Sequence, residues 1–171
     1  MIIAGRAGAG TLASMLGQRP SPEEVADRMA IDEVLDAYAA ALDTKDWDTL
    51  RTLFTPDAVV DYRDEGGVRG TIDEAIAWFD KTVSNFSASQ HFVTNRRIKV
   101  DGDEATVNAY IFSPLGAPNG NGGLTLVFAG GFYEDALTRT PDGWRFSART
   151  IRASWFHAGL QGGAAPPRTA D

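Results

Sequence analysis

Cysteine is absent from this chain, and histidine occurs only at positions 91 and 157. The first absence excludes disulfides, thiolate nucleophiles and cysteine-based metal sites. The second argues against a histidine-rich metal centre, so no metal is expected. Basic residues are in the minority, with 16 Lys and Arg against 23 Asp and Glu, for a formal net charge of −7. Nucleic-acid-binding surfaces cluster Lys and Arg, so neither nucleic acid nor an anionic membrane is an expected partner. No apolar run approaches the ~20 residues that span a bilayer. A glycine-rich phosphate loop, a nucleophile elbow and an HExxH metal motif are all missing, and no cofactor is expected.

What is present suits one domain. The chain has 171 residues, 43% of them hydrophobic, enough for a sizeable core. Residues 1–20 are rich in alanine and glycine and lack the continuous apolar core of a secretory signal. They read as a flexible leader, residues 159–171 as a flexible tail, and residues 21–158 as the folded domain. Cytoplasmic residence is the default expectation.

Helical signals open at Ser21-Pro22-Glu23-Glu24: a capping serine, a proline suited to the first turn, and two acids at the positive end of the dipole. Val25, Met29, Ile31, Val34, Leu35, Tyr38 and Leu42 follow at three-to-four spacing, one apolar stripe. Asp46 can cap a short helix over 47–54, which Thr55-Pro56-Asp57 ends. Thr71 can cap a third, with Ile72, Ala75, Ile76, Phe79 and Val83 on its apolar face. Residues 58–62 read as a strand, and 64–70 as a charged turn.

The remainder alternates as antiparallel sheet, with strands expected over 87–100, 105–113, 124–138 and 144–156. Asp101-Gly102 and Pro141-Asp142-Gly143 mark hairpin turns, and residues 116–123 a loose loop. Gly130-Gly131 inside a strand suggests a bulge or bend. Helices first and long strands after imply an α+β fold, in which a bent sheet wraps over helices and leaves a cavity at its open end.

Two residues stand out for proton chemistry. Asp43 falls at the end of the first helix, where the negative end of the dipole should raise its pKa. It lies off the centre of the apolar stripe, so a solvated turn residue is the plainer reading. His91 is a proton carrier suited to neutral pH if a carboxylate fixes its tautomer, and otherwise a hydrogen-bonded structural histidine. His157 lies near the end of the domain and reads as a surface residue. Tyr38, Tyr62, Tyr110 and Tyr133 are potential phenolic donors.

The segment Leu42-Asp43-Thr44-Lys45-Asp46-Trp47, the pair Asp61-Tyr62, Gln90-His91-Phe92 and Asp142-Gly143-Trp144-Arg145-Phe146 are similar to scytalone dehydratases. His91-Phe92-Val93-Thr94-Asn95 also resembles the HxxTN strand of hexachlorocyclohexane dehydrochlorinases. Both belong to the SnoaL-like branch of the NTF2-like superfamily. The resemblance runs from about Glu24 to Phe156. It implies an NTF2-like cone with N-terminal helices packed in a strongly curved, mostly antiparallel sheet enclosing a pocket. It also implies an Asp43–His91 catalytic dyad, a water-binding Tyr62, and a homo-oligomer, trimer ahead of dimer.

The chain departs from these enzymes at several places. Ala129-Gly130-Gly131 replaces the neighbourhood of a second active-site histidine of scytalone dehydratase, and Leu42 replaces a tyrosine. Tyr38 replaces a lysine of the dehydrochlorinase, and Ala148 stands near its arginine. The expected substrate is a small, largely apolar cyclic molecule touched by Tyr38, Trp47, Phe54, Tyr62, Tyr110, Phe128 and Trp155. The expected reaction is cofactor-independent elimination or isomerisation, dehydration first. The alternative is a non-catalytic ligand-binding or assembly subunit of the same fold.

Overall fold

The computed structural model describes residues 19–162, with side chains through Gly159. Most of the proposed leader, residues 1–18, and the end of the proposed tail, residues 163–171, lie outside the described residues.

Helix α1 (Pro22–Thr44) starts as its sequence dictates: the Ser21 hydroxyl accepts the Glu24 N–H at 3.1 Å, and Pro22 needs no donor there. It buries Ile31, Val34, Leu35, Tyr38, Ala41 and Leu42. It stops at Lys45, whose φ of 60° leaves the helical region. Helix α2 (Trp47–Thr52) is capped by Asp46. It ends two residues earlier than the sequence reading, because Phe54 already pairs as strand. Helix α3 (Ile72–Thr82) carries a full capping box: Thr71 accepts the Glu74 N–H while Glu74 accepts that of Thr71.

Seven strands follow: β1 (Phe54–Asp61), β2 (Arg69–Gly70), β3 (Ala88–Ser89), β4 (Phe92–Asp101), β5 (Glu104–Pro118), β6 (Leu124–Thr140) and β7 (Gly143–Gly162). They form one sheet in the order β2-β1-β7-β6-β5, with β3 and β4 both pairing along β5. Among the described residues only the β1–β7 pair is parallel. The sheet is curved and unclosed, and the fold is the expected α+β cone.

Three corrections to the sequence reading bear on the site. The strand expected over 87–100 is two strands with a break at Gln90 and His91, so His91 sits in the gap rather than in a ladder. β5 continues to Pro118, into the segment read as loop, and β7 continues to Gly162, into the segment read as tail. The β5–β6 hairpin pairs without interruption to Pro118–Leu124, which sustains both extensions.

The β6–β7 register does shift at Gly130/Gly131. A Cβ on Gly131 would lie 2.2 Å from the Arg152 carbonyl oxygen, and one on Gly130 2.3 Å from the Trp155 ring. Asn95 takes a left-handed φ of 51° in the β4 bulge, which Asn tolerates better than most residues. The bulge swings Arg96 onto α1, where it donates to Asp32 at 3.1 Å and pairs with Asp36.

Candidate active site

The end of α1 and the β3–β4 gap bring Asp43 and His91 together. Asp43 Oδ1 accepts from His91 Nδ1 at 2.6 Å, and Oδ2 accepts the His91 backbone N–H at 3.0 Å. The Ser89 hydroxyl donates to Oδ1 at 2.8 Å. The gap in the strand has a cause here: the His91 N–H that a ladder would use is bound to a side chain. With Nδ1–H given to the carboxylate, the network assigns the free lone pair to Nε2.

The Asp43 pKa moves opposite to the sequence expectation. Burial pushes it up, but the His91 ring hydrogen bond and charge, the His91 backbone N–H and Ser89 together bring it below the ordinary 3.8. The carbonyls at the helix end are occupied. Thr44 Oγ1 donates to Ala40 O at 2.8 Å, and the Asp46 N–H donates to Ala41 O at 2.9 Å. Local donors to the charged form therefore win.

His91 lines a cavity of about 440 Å³, a size that fits a small organic ligand. Asp43 stands behind it and does not line the cavity. Most of the wall is apolar: Leu42, Trp78, Phe79, Val83, Phe86, Ile111, Leu115, Ala129, Trp155 and Phe156. The polar groups are Tyr62, Asp64, Glu65, Thr82, Ser113 and Tyr133, with His91. Glu65 is solvent-accessible as a residue, yet desolvation on the cavity side raises its carboxyl above the usual range, against the pull of His91.

Of the residues expected to touch substrate, Tyr62 and Trp155 line the cavity. Tyr38 and Phe54 do not: both are buried in the core, edge-on to each other and against Phe146. Trp47 stacks on Phe79 but does not line the cavity, and its indole N–H donates to Asp80 at 3.2 Å. Tyr110 and Phe128 alternate with the cavity residues Ile111 and Ala129 and face away from the cavity, Tyr110 against Phe132 and Phe128 against Phe112. His157 is exposed and does not line the cavity.

Sequence reasoning missed Glu65, Trp78, Phe86 and Ser113. The short helical turn Arg63–Glu65 puts a glutamate from the charged turn on the cavity. It also missed Arg149, which is fully buried, with Asp135 accepting Nε and Nη2 at 2.8 Å each. A lone Arg in an alternating strand ordinarily faces water, which is why the pattern hid it.

Residues 23–150 match the SnoaL-like domain family. The chain is a SnoaL-like protein. It is 36% identical to an uncharacterized protein of Mycobacterium tuberculosis over 129 residues, 75% of this chain and 86% of the relative. Among solved structures, an aromatic ring hydroxylase candidate from Novosphingobium aromaticivorans superimposes with a TM-score of 0.71 at 28% identity, covering 84% and 97% of the two chains. A scytalone dehydratase candidate from the same organism gives 0.69 at 21% identity, covering 86% and 97%. A hexachlorocyclohexane dehydrochlorinase from Novosphingobium barchaimii gives 0.70 at 20%, covering 84% and 97%. The last two likenesses show a shared fold. Among the described residues no helix is long and apolar enough to cross a membrane.

Proposed function

We propose that this SnoaL-like protein is a cofactor-independent lyase or isomerase acting on a small, largely apolar cyclic molecule. His91 is the proton carrier. Asp43 fixes the ring so that Nε2 takes a proton next to a carbonyl or a leaving group, and it stabilises the imidazolium that forms. Dehydration is the favoured reaction: the proton taken from carbon and a departing hydroxyl leave together as water.

The observation that carries this reading is the 2.6 Å contact between Asp43 and His91 beside an apolar cavity. A structural histidine would need no cavity, and a binding pocket would need no carboxylate behind its imidazole. Positioned acid–base catalysis supplies ~10²–10⁴-fold, and stabilisation of developing charge supplies the rest. The names of the dehydratase candidate and the dehydrochlorinase are in keeping with elimination chemistry.

Homo-oligomer formation is part of the proposal, trimer before dimer. Phe92, Tyr110, Phe112 and Phe132 are exposed on β4, β5 and β6, and such a patch suits burial against another copy. Screening hydroxylated and ketone-bearing polycyclic compounds for hydrogen exchange with deuterated water tests the reading. Exchange at a carbon beside an oxygen function is expected. Binding without exchange across the panel would favour the ligand-binding alternative.

A further inference from the structure

The short helical turn Arg63–Glu65 places on the cavity a carboxyl that the dyad does not use. Backbone hydrogen bonds fix the turn. The Glu65 N–H donates to Tyr62 O at 3.0 Å, that of Gly66 to Arg63 O at 3.0 Å, and that of Gly67 to Tyr62 O at 2.9 Å. Glu65 is thus tied to Tyr62, itself a wall residue, rather than carried on a loose loop.

The arginines around Glu65 are engaged elsewhere. Arg63 donates Nε and Nη2 to Asp61 at 2.9 and 2.6 Å, and Arg69 lies 3.6 Å from the same carboxylate. Strand β7 packs against the turn, and its Arg149 and Arg152 pair with Asp135 and Glu134. Among the described residues the Glu65 carboxyl has no hydrogen-bond or ion-pair partner. The titratable groups that share its cavity are Tyr62, Asp64, His91 and Tyr133, with Asp43 behind His91.

An unpaired carboxyl on a mostly apolar wall favours its neutral form. Desolvation raises the Glu65 carboxyl above the usual range and the charge of Asp64 adds to this, while the charge of His91 pulls it down. A ligand that fills the cavity displaces water from the carboxyl and strengthens its preference for the proton. Protonation of His91 does the reverse. Glu65 therefore becomes a stronger acid at the moment His91 takes up a proton, which is when a departing group needs one.

We propose that Glu65 is a catalytic acid that gives its proton to the departing hydroxyl of the substrate. This rests on the reading of His91 as base. It narrows the substrate class to a cyclic ketone with a hydroxyl on the second carbon from the carbonyl. His91 Nε2 takes the proton from the carbon between the two functions, and the C–H electron pair forms the new C=C bond. The C–O bond to the hydroxyl breaks with its electron pair on oxygen, and the Glu65 proton joins that oxygen to give water. The products are the enone and water, with His91 protonated and Glu65 ionised. Transfer of the His91 proton to Glu65 through water restores both groups. No electron donor or acceptor is needed.

The test uses the full chain and two probes that differ only in what leaves, 3-hydroxycyclohexanone and 3-(4-nitrophenoxy)cyclohexanone. Both give cyclohexenone. Hydroxide needs a proton to depart, whereas 4-nitrophenolate leaves without one. Glu65→Gln keeps the shape and removes the acid. Its kcat/KM for water loss is expected to fall by about 10²-fold or more. Release of 4-nitrophenolate, and exchange of the hydrogens beside the carbonyl with deuterated water, should continue at the parent's rates, which also shows that the variant is folded. Glu65→Asp keeps an acid and is expected to recover part of the loss. In His91→Ala both eliminations and the exchange are expected to stop. Water loss by Glu65→Gln at the parent's rate overturns the proposal and leaves His91 standing as base. Equal losses on the two probes overturn it too, since the carboxyl would then serve something other than the leaving group. Absence of exchange by the parent contradicts the reading of His91, and the proposal falls with it.

Discussion

Asp43 holds His91 at two points, Nδ1 with one carboxylate oxygen and the backbone N–H with the other. One side chain thus fixes both the tautomer of the ring and the place where the β3–β4 strand breaks. Asp43→Asn keeps the shape but cannot stabilise an imidazolium. A loss of about 10²–10⁴-fold in kcat/KM is expected, with the KM little changed. Steady-state kinetics on the first substrate found in the exchange screen checks it.

The lowered pKa of Asp43 has a stability consequence of defined sign. Its folded value lies below the ordinary 3.8, so its contribution is present above that pH and is lost as pH falls through the folded value. Urea unfolding between neutral and strongly acid pH should show stability falling below about pH 4 in the parent, and a shallower fall in Asp43→Asn. Parallel curves would remove Asp43 from the acid transition.

Arg149 and Asp135 are coupled. Arg149→Met leaves Asp135 charged and unpaired in the core, at a cost of about 3–5 kcal/mol. The double change to Met and Leu should recover most of that loss. Chemical denaturation of the three variants gives the coupling directly, and equal destabilisation in the single and double variants would deny it.

Gly131→Ala should destabilise by about 1–3 kcal/mol, because its Cβ meets the Arg152 backbone at 2.2 Å and backbone cannot step aside. Gly130→Ala meets a tryptophan ring instead, which can swing away. A smaller drop in melting temperature is expected there.

The helices were legible because their signals are local. Ser21, Asp46 and Thr71 cap where caps were expected, and the α1 stripe is buried from Ile31 to Leu42, while Val25 and Met29 in its first turns stay exposed because nothing among the described residues packs over them. Gly130-Gly131 marked the register shift for the same reason. The cavity wall was less legible because β5 and β6 carry apolar residues on both faces. Tyr110 and Ile111 are equally plausible inward by composition, and only the pairing with Phe132 and Gly131 fixes which faces in. The strand break at His91 depends on a hydrogen bond across 48 residues, which no local pattern encodes. Arg149 is hidden likewise, since its burial depends on meeting Asp135 from the neighbouring strand.

An exposed side chain that touches neither the cavity nor the dyad should be nearly silent in catalysis. His157→Ala, at an exposed position on β7, is expected to leave kcat/KM within experimental error. Tyr62→Phe should fall between it and the dyad variants, since it deletes one hydroxyl from the wall and leaves the His91 geometry intact.

The central claim is that His91 carries the proton, and its most direct test is solvent hydrogen exchange by His91→Ala beside the parent protein. The two are compared on the same ketone, with folding verified by circular dichroism. Exchange is expected to fall to the uncatalysed rate in His91→Ala. Exchange equal to that of the parent would contradict it.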